Sequence, residues 1–158
     1  MSMTETRTAN VWLDTEFNGF GGALISMALV DNTDCYAYFS LGCAAPVPWV
    51  IENVMPFLGV EPVCRGQAQA QVRQFLHRFK SVNIVADWPE DIKHFCAFML
   101  DGPAGCLATP PLTFELRTDI VGTSEGSAIP HNALEDARSL RRLYLNSSAK
   151  SADRMPSG

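Results

Sequence analysis

The sequence predicts an α/β fold in which helices flank a mixed central sheet of about five strands. Three apolar, strand-like segments at residues 10–17, 24–30 and 35–41 are joined by short, turn-prone stretches, and this spacing favours an antiparallel meander. Segments with helical periodicity and segments with strand-like periodicity then alternate along the rest of the chain. That alternation is typical of an α/β domain.

The later elements are predicted from where the apolar side chains recur. A proline-rich stretch at 42–62 contains an irregular or short helical crossing at 49–58. Apolar residues recur at near-helical spacing in 67–80, 89–100 and 132–145, and each of these segments predicts a helix with one buried face. Short apolar runs at 81–86 and 112–116 predict two further strands.

Length and composition indicate one compact domain. The chain has 158 residues, of which 47% are hydrophobic and 18% charged, so it is apolar enough to build a core and too short for two ordinary domains. Both ends are polar and lack periodicity. We therefore expect a flexible N-terminus at 1–9, a single domain at 10–146 and a flexible C-terminal tail at 147–158.

Charge and hydropathy narrow the set of partners. A formal charge of −5 argues against a broad basic surface that grips long nucleic acid. No apolar run approaches the roughly 20 residues of a membrane-spanning helix, and the polar first ten residues lack the apolar segment of a secretory signal. We expect a cytoplasmic protein with no membrane partner. Five cysteines without a CxxC pair predict buried, reduced thiols.

The first acidic motif lies at the end of the first predicted strand. Asp14 and Glu16 are two residues apart, so both side chains leave the same face of the strand and can converge on one ion. Such acids can also cap a turn, but the apolar VWL segment before them places two like charges at the edge of a core. Like carboxylates at that distance repel each other unless a proton or a cation joins them.

A second acidic cluster, DWPED at residues 87–91, follows a predicted strand and opens a predicted helix. Acids are favoured in the first turn of a helix, so an N-cap with favourable helix-dipole charges is one interpretation. In a metal site, Asp91 is the better candidate ligand, because the start of the helix can direct it back over the sheet. Asp87, at the strand end, is the alternative.

The third motif is HNALEDA, in which His131 precedes Asp136 by five residues. His131 lies just before the last predicted helix and Asp136 about one turn inside it, so both can face one cleft, whereas Glu135 points about 100° away. The three motifs together supply four carboxylates and one imidazole. Hard Mg²⁺ or Mn²⁺ ions prefer oxygen ligands, so this set suits a two-metal phosphodiesterase.

In this order and over this length, DTEF, the Asp91 segment and HNALEDA resemble the motifs of the DEDDh 3′-5′ exonucleases of the ribonuclease H-like superfamily. The likeness covers residues 10–145. It is strongest to a compact bacterial and phage 3′-5′ exoribonuclease group related to the polyadenylate-specific exoribonuclease, through DTEFNG followed by LISMALV, PWVIENVMPFL and HNALEDA. The resemblance implies a ribonuclease H-like three-layer fold.

The resemblance also implies roles for the motif residues. Two Mg²⁺ or Mn²⁺ ions would bind per active site, the first to Asp14, Glu16 and Asp136 and the second to Asp14 and Asp91. His131 would be the general base that takes a proton from the attacking water, a role that suits an imidazole.

One departure from the family concerns the second motif. The family usually has an asparagine or a similar polar residue four positions before the aspartate, and here that position is Asp87. A further acid there could bind metal or replace Asp91 as the ligand, so both assignments stay open.

The residues after the DxE motif are candidates for substrate binding. By the same resemblance, Phe17 and Asn18 would pack against the terminal nucleotide, and Leu24 could line the same pocket. An aromatic face can stack on any base, although core packing explains Phe17 equally well. Trp49 and Trp88 could also contact substrate, but their position beside buried segments favours a core role.

The sequence therefore predicts a single-domain, metal-dependent 3′-5′ exoribonuclease that hydrolyses single-stranded RNA to nucleoside 5′-monophosphates. One alternative is the same chemistry on single-stranded DNA or short oligonucleotides, because no residue identified in the sequence reads the 2′-hydroxyl. Another is a non-catalytic nucleic-acid-binding or protein-binding module on the same fold, which the filled set of five motif positions disfavours. The resemblance also implies a homodimer in which a neighbouring copy helps to form the nucleic-acid groove.

Overall fold

The structure, a computed structural model, describes residues 8–154. Within this range the chain forms five strands and four α-helices, together with a short 3-10 turn at Met55–Phe57. In chain order the elements are β1 (Ala9–Phe17), β2 (Leu24–Asp31), β3 (Tyr36–Ser40), α1 (Pro48–Asn53), α2 (Arg65–Leu76), β4 (Val82–Ala86), α3 (Pro89–Phe98), β5 (Leu112–Leu116) and α4 (Ala133–Ala152).

The five strands form one mixed sheet in the order β3-β2-β1-β4-β5. Strands β1, β2 and β3 pair in antiparallel fashion, and β4 and β5 run parallel to β1. The prediction of an α/β fold with a five-stranded mixed sheet, including the antiparallel meander, is confirmed. Because β1, β4 and β5 are parallel, their C-terminal ends meet at one edge of the sheet.

Helices cover both faces of the sheet, which gives three layers. On one face, Val11 and Leu13 of β1 pack into a core with α2 and α3. On the other face, Trp12 of β1 packs against Leu140 of α4. Side chains alternate along a strand, so Asp14 and Glu16 leave β1 on one face, as the sequence predicts, and that face is the one that α4 covers.

The last helix is longer than the sequence predicts. The apolar pattern predicts a helix over 132–145, whereas α4 runs to Ala152 and includes the first six residues of the predicted tail. The serines there do not break the helix, because the Ser147 hydroxyl donates to the Tyr144 carbonyl and the Ser151 hydroxyl donates to the Ser147 carbonyl. Residues 1–7 of the predicted N-terminus and 155–158 of the predicted tail lie outside the described residues.

The prediction that the cysteines are buried is wrong. Four of them are exposed and Cys43 is half-buried. Cys96, for example, lies on the outer face of α3, where the helical period turns it away from Phe95 in the core. Among residues 8–154, no helix is long and apolar enough to cross a membrane.

Candidate functional site

A cleft of about 840 Å³ opens at the edge of the sheet where β1 and β4 end. Its walls come from the C-terminal half of β1, the junction between β4 and α3, the loop that precedes α4, and the first turns of α4. In open α/β sheets, ligands bind in the crevice outside the C-terminal ends of the parallel strands. The cleft is therefore placed where this type of sheet binds its ligands.

The cleft brings together the acidic and histidine residues of all three sequence motifs. They form two groups of three, and within each group the ligand atoms lie within 4.8 Å of one another. The first group consists of Asp14, Asp87 and Asp91, and the second of Glu16, His131 and Asp136. Each group could hold a metal ion. The grouping differs from the one that the resemblance implies, in which Asp14 is joined to Glu16 and Asp136.

Thr15 of strand β1 holds the carboxylate of Asp91. The backbone N–H and the hydroxyl of Thr15 both donate to Oδ1 of Asp91, at 3.1 Å and 2.6 Å. Strand β1 pairs with β4 only as far as Trp12. The backbone N–H of Thr15 therefore has no partner in β4 and donates to the Asp91 carboxylate instead. Trp88 occupies the N-cap position of α3 and makes no side-chain cap bond, so none of the three acids of DWPED is the N-cap, although Glu90 and Asp91 lie in the first turn.

Asp87 also lines the cleft, and it is held by a different element. The Thr123 hydroxyl, from the loop before α4, donates to Oδ2 of Asp87 at 2.6 Å. Asp87 and Asp91 thus reach Asp14 from the end of β4 and from the first turn of α3. Asp87 and Asp91 are therefore both positioned to contribute a ligand.

His131 is fixed by its backbone and by its ring. Its φ angle of 64° is in the left-handed region, which is uncommon for residues other than glycine. Its backbone N–H donates to Oδ2 of Asp136 at 3.2 Å, and its ring packs edge-on against Trp49 with 4.9 Å between ring centroids. The geometry turns the imidazole into the cleft beside Asp136.

Asn132, which the sequence analysis did not identify, anchors the start of α4. Its Oδ1 accepts from the Glu135 N–H at 3.0 Å, which caps the helix. Its amide nitrogen donates to the Tyr38 hydroxyl and to the Phe57 carbonyl. The HN dipeptide before an apolar helical pattern was the available signal for this cap, because asparagine is a preferred N-cap residue.

Burial and mutual repulsion make the carboxyl groups of the cleft hard to ionise. Burial, followed by the charges of Asp91 and Glu16, holds the pKa of Asp14 well above its usual range. Burial and then the charge of Asp136 raise the pKa of Glu16 to about 9. Burial raises the pKa of Asp91 to about 8, although the Thr15 hydrogen bond opposes the shift.

Three carboxylate oxygens of the cleft lack partners. Oδ2 of Asp14, Oε2 of Glu90 and Oδ1 of Asp136 are buried and make no hydrogen bond. A buried acceptor without a partner costs free energy, and like charges this close repel each other. A divalent cation would satisfy the free oxygens and offset the repulsion, so the donor set fits a hard metal ion.

Of the three predicted substrate-binding residues, Phe17 lines the cleft, whereas Asn18 and Leu24 do not. Phe17 lines the cleft and stacks on His94 of α3, with 4.8 Å between ring centroids. The amide of Asn18 donates to the Ala45 carbonyl and accepts from the Val47 N–H, so it holds the segment before α1. Leu24 packs against the core. Neither Asn18 nor Leu24 is among the residues that line the cleft within 8–154, and their contact with substrate stays a prediction.

Three exposed aromatic residues surround the cleft. Trp49 and Trp88 are 51% and 58% exposed, so the core role that their neighbours favour is wrong. Phe20, which the sequence analysis did not identify, is 98% exposed and also lines the cleft. A phenylalanine between turn-forming glycines, in NGFGG, was the signal for an exposed ring.

Comparison with known proteins does not assign the chain to a family. No protein-family model matches the chain, and no curated protein matches it either. The function of the cleft is therefore inferred from its own residues and from the motif resemblance.

Proposed function

We propose that this protein is a metal-dependent 3′-5′ exonuclease of the DEDDh type that removes nucleoside 5′-monophosphates from single-stranded RNA. The observation that carries the proposal is the convergence of three separate motifs in one cleft. They supply two groups of three ligand atoms, each within 4.8 Å, on elements far apart in the chain. The 3′-to-5′ direction and the RNA substrate rest on the resemblance of DTEF, the Asp91 segment and HNALEDA to that family.

The carboxylates of the cleft would hold two Mg²⁺ or Mn²⁺ ions. Asp14, Asp87 and Asp91 form one candidate ligand group, and the second group is built around Glu16 and Asp136. When bound, the ions lower the pKa of water and stabilise the charge that develops on the scissile phosphate. Thr15 keeps Asp91 in place through two hydrogen bonds, so little reorganisation of this ligand is needed.

His131 would act as the general base. A ring nitrogen of His131 accepts the proton of the attacking water, and the Trp49 ring limits the rotation of the imidazole. Its backbone N–H is bonded to Asp136, so the base and a candidate metal ligand keep a fixed relation to each other. Attack by the water on the terminal phosphorus would break its bond to the 3′-oxygen of the preceding nucleotide, and that oxygen would take a proton from solvent. The products are a nucleoside 5′-monophosphate and a chain with a new 3′-hydroxyl.

The experiment that tests this function is a gel time course. RNA and DNA strands of the same sequence carry a 5′ label and are incubated with Mg²⁺, Mn²⁺ or EDTA. The proposal predicts a ladder that shortens from the 3′ end, requires the metal and is faster on RNA. A faster reaction on DNA would support the single-stranded DNA alternative, and no shortening of either strand would refute the nuclease.

Adjacent residues of α4 give a matched pair of variants. Asp136→Asn removes a charge from the second ligand group, whereas Glu135→Gln removes one from a half-buried residue that pairs with Arg138. We expect Asp136→Asn to lower the rate by about a thousandfold or more, because removal of a group that acts as part of a catalytic unit disables the unit. Glu135→Gln should stay within about twofold of the wild type, because such pairs are worth little. Full activity of purified Asp136→Asn would contradict the assignment.

A further inference from the structure

The charges that line the cleft are of one sign. Its walls carry seven carboxylate side chains, and no lysine or arginine of residues 8–154 is among the lining residues. A track for a long nucleic-acid backbone needs cations along it, because affinity for the polymer comes from contacts between basic side chains and phosphates. Beyond the phosphates that metal ions would neutralise, each further phosphate in this cleft meets negative charge.

Many of the basic side chains are already engaged elsewhere. Within the described part of the chain, six arginines donate hydrogen bonds to acidic side chains or backbone carbonyls of the protein itself: Arg65, Arg78, Arg117, Arg138, Arg141 and Arg142. Arg138 and Arg141, for example, share Asp34. None of these six arginines is among the residues that line the cleft.

Aromatic rings provide another means of binding nucleotides. Phe20, Trp49 and Trp88 line the cleft and are each at least half exposed. Several exposed aromatic rings around one cleft mark a binding surface, and nucleobases stack on such rings irrespective of sequence. The three rings belong to the turn after β1, to α1 and to the residue before α3, so three separate elements supply them.

The cleft has room for a short ligand. At about 840 Å³ it falls in the size range of small-molecule pockets, which is enough for a few nucleotides. Within the cleft, a longer strand would find no lysine or arginine among the lining residues of 8–154. Stacking supplies affinity for each base that enters, while the negative walls supply none for phosphates farther along the strand.

We propose that the substrates of this cleft are short single-stranded oligonucleotides, held by base stacking on Phe20, Trp49 and Trp88 and not by basic contacts to a long backbone. This inference rests on the proposed nuclease function and specifies its substrate class. It predicts an affinity that levels off after a few nucleotides and depends little on ionic strength.

The first test is steady-state hydrolysis of a dinucleotide, a pentanucleotide and a twenty-nucleotide strand at saturating Mg²⁺. We expect KM to change by less than about threefold from the pentanucleotide to the longest strand, and by less than about twofold between about 50 and 200 mM salt. A basic groove that contacted three phosphates would instead weaken binding about twentyfold over that range of salt. A KM that falls steeply with length and rises steeply with salt would overturn the inference while leaving the nuclease intact.

The second test uses variants of the exposed rings. Phe20→Ala and Trp88→Ala should each raise KM about tenfold, with a smaller change in kcat, because each removes one stacking surface. Trp88→Phe should restore most of the loss, since it retains an aromatic face. Tyr36→Ala, which removes a half-exposed ring that does not line the cleft, is the matched control and should leave KM within about twofold. Unchanged KM in both cleft variants would refute the stacking role.

A binding measurement separates this inference from the nuclease activity. Titration of the wild type with a nucleoside 5′-monophosphate and Mg²⁺ should quench tryptophan fluorescence, and Trp88→Phe should lose part of that quenching. If stacking is seen but no strand is hydrolysed, the proposed function fails and the nucleotide-binding role of the rings stands. If strands are hydrolysed but the monophosphate causes no quenching at saturation, the stacking role fails and the nuclease stands.

Discussion

Loading the metal-free cleft with Mn²⁺ at pH 7 should release protons from its carboxyl groups. Glu16, with a pKa of about 9, is then about 99% protonated, and Asp91, with a pKa of about 8, is about 90% protonated. A metal ion binds the ionised form and displaces both protons. These two groups account for about two protons per molecule, and Asp14, whose pKa is also raised, adds up to about one more.

The same arithmetic gives the dependence on pH. At pH 9, Glu16 is about half protonated and Asp91 about one-tenth, so the release from these two groups falls to about 0.6 protons. Near pH 7, a release of about two protons makes the apparent association constant rise about a hundredfold for each unit of pH. Metal binding should therefore strengthen steeply between pH 6 and pH 8, more gently up to about pH 9, and level off above that pH.

Isothermal titration calorimetry measures this release directly. The protein is titrated with Mn²⁺ at one pH in two buffers whose enthalpies of ionisation differ, and the difference in heat gives the number of protons taken up by the buffer. Glu16→Gln should lower the number by about one at pH 7, whereas Glu135→Gln, whose side chain pairs with Arg138, should leave it unchanged. Metal binding at pH 7 with no proton release would refute the electrostatic account of the cleft.

Three further predictions concern stability. Asn132→Ala should lower the free energy of unfolding by about 2–4 kcal/mol, because it removes the α4 cap and leaves buried groups unpaired. A loss below about 0.5 kcal/mol on chemical denaturation would contradict this role. Thr15→Val should lower the free energy of unfolding of the metal-free protein by about 1–3 kcal/mol at pH 9, where Asp91 is ionised. The loss should be smaller at pH 6. An equal loss at both pH values would count against the hydrogen bond to the carboxylate. Metal-free protein should lose stability from pH 7 to pH 9, because folded Glu16 and Asp91 retain protons that the unfolded chain has released. Saturating Mn²⁺ should abolish this trend in thermal melts, because the metal-bound groups are ionised in the folded protein as they are in the unfolded chain. A rise in metal-free stability over this window would show that the sign is wrong.

The periodicity of the apolar side chains is sufficient to predict most of the fold. Alternation along β1 places Asp14 and Glu16 on one face, and this geometry depends only on the local geometry of a strand. The limits of α4 were harder to predict, because the helix continues through 147–152 on backbone hydrogen bonds, without an apolar face to signal it. Local patterns therefore predict the elements more reliably than their ends.

The candidate site was predictable only in part, for a different reason. The motif residues could be selected from the sequence because their chemistry is distinctive, and the structure brings them into one cleft. The exposure of Trp49 and Trp88 depends on which elements pack above them, and a single sequence does not contain that information. The hydrogen bonds of Thr15 to Asp91 likewise join residues far apart in the chain, so no local pattern signals them.

The claim that the cleft is a two-metal site is tested most directly by anomalous X-ray scattering from crystals of the protein soaked in Mn²⁺. The account predicts two anomalous peaks in the cleft, one beside Asp14, Asp87 and Asp91 and one beside Glu16 and Asp136. Both peaks should be lost or weakened in crystals of Asp14→Asn soaked at the same concentration, because Asp14 interacts with the acids of both groups. A cleft without an anomalous peak at saturating Mn²⁺ in wild-type crystals would contradict the central claim.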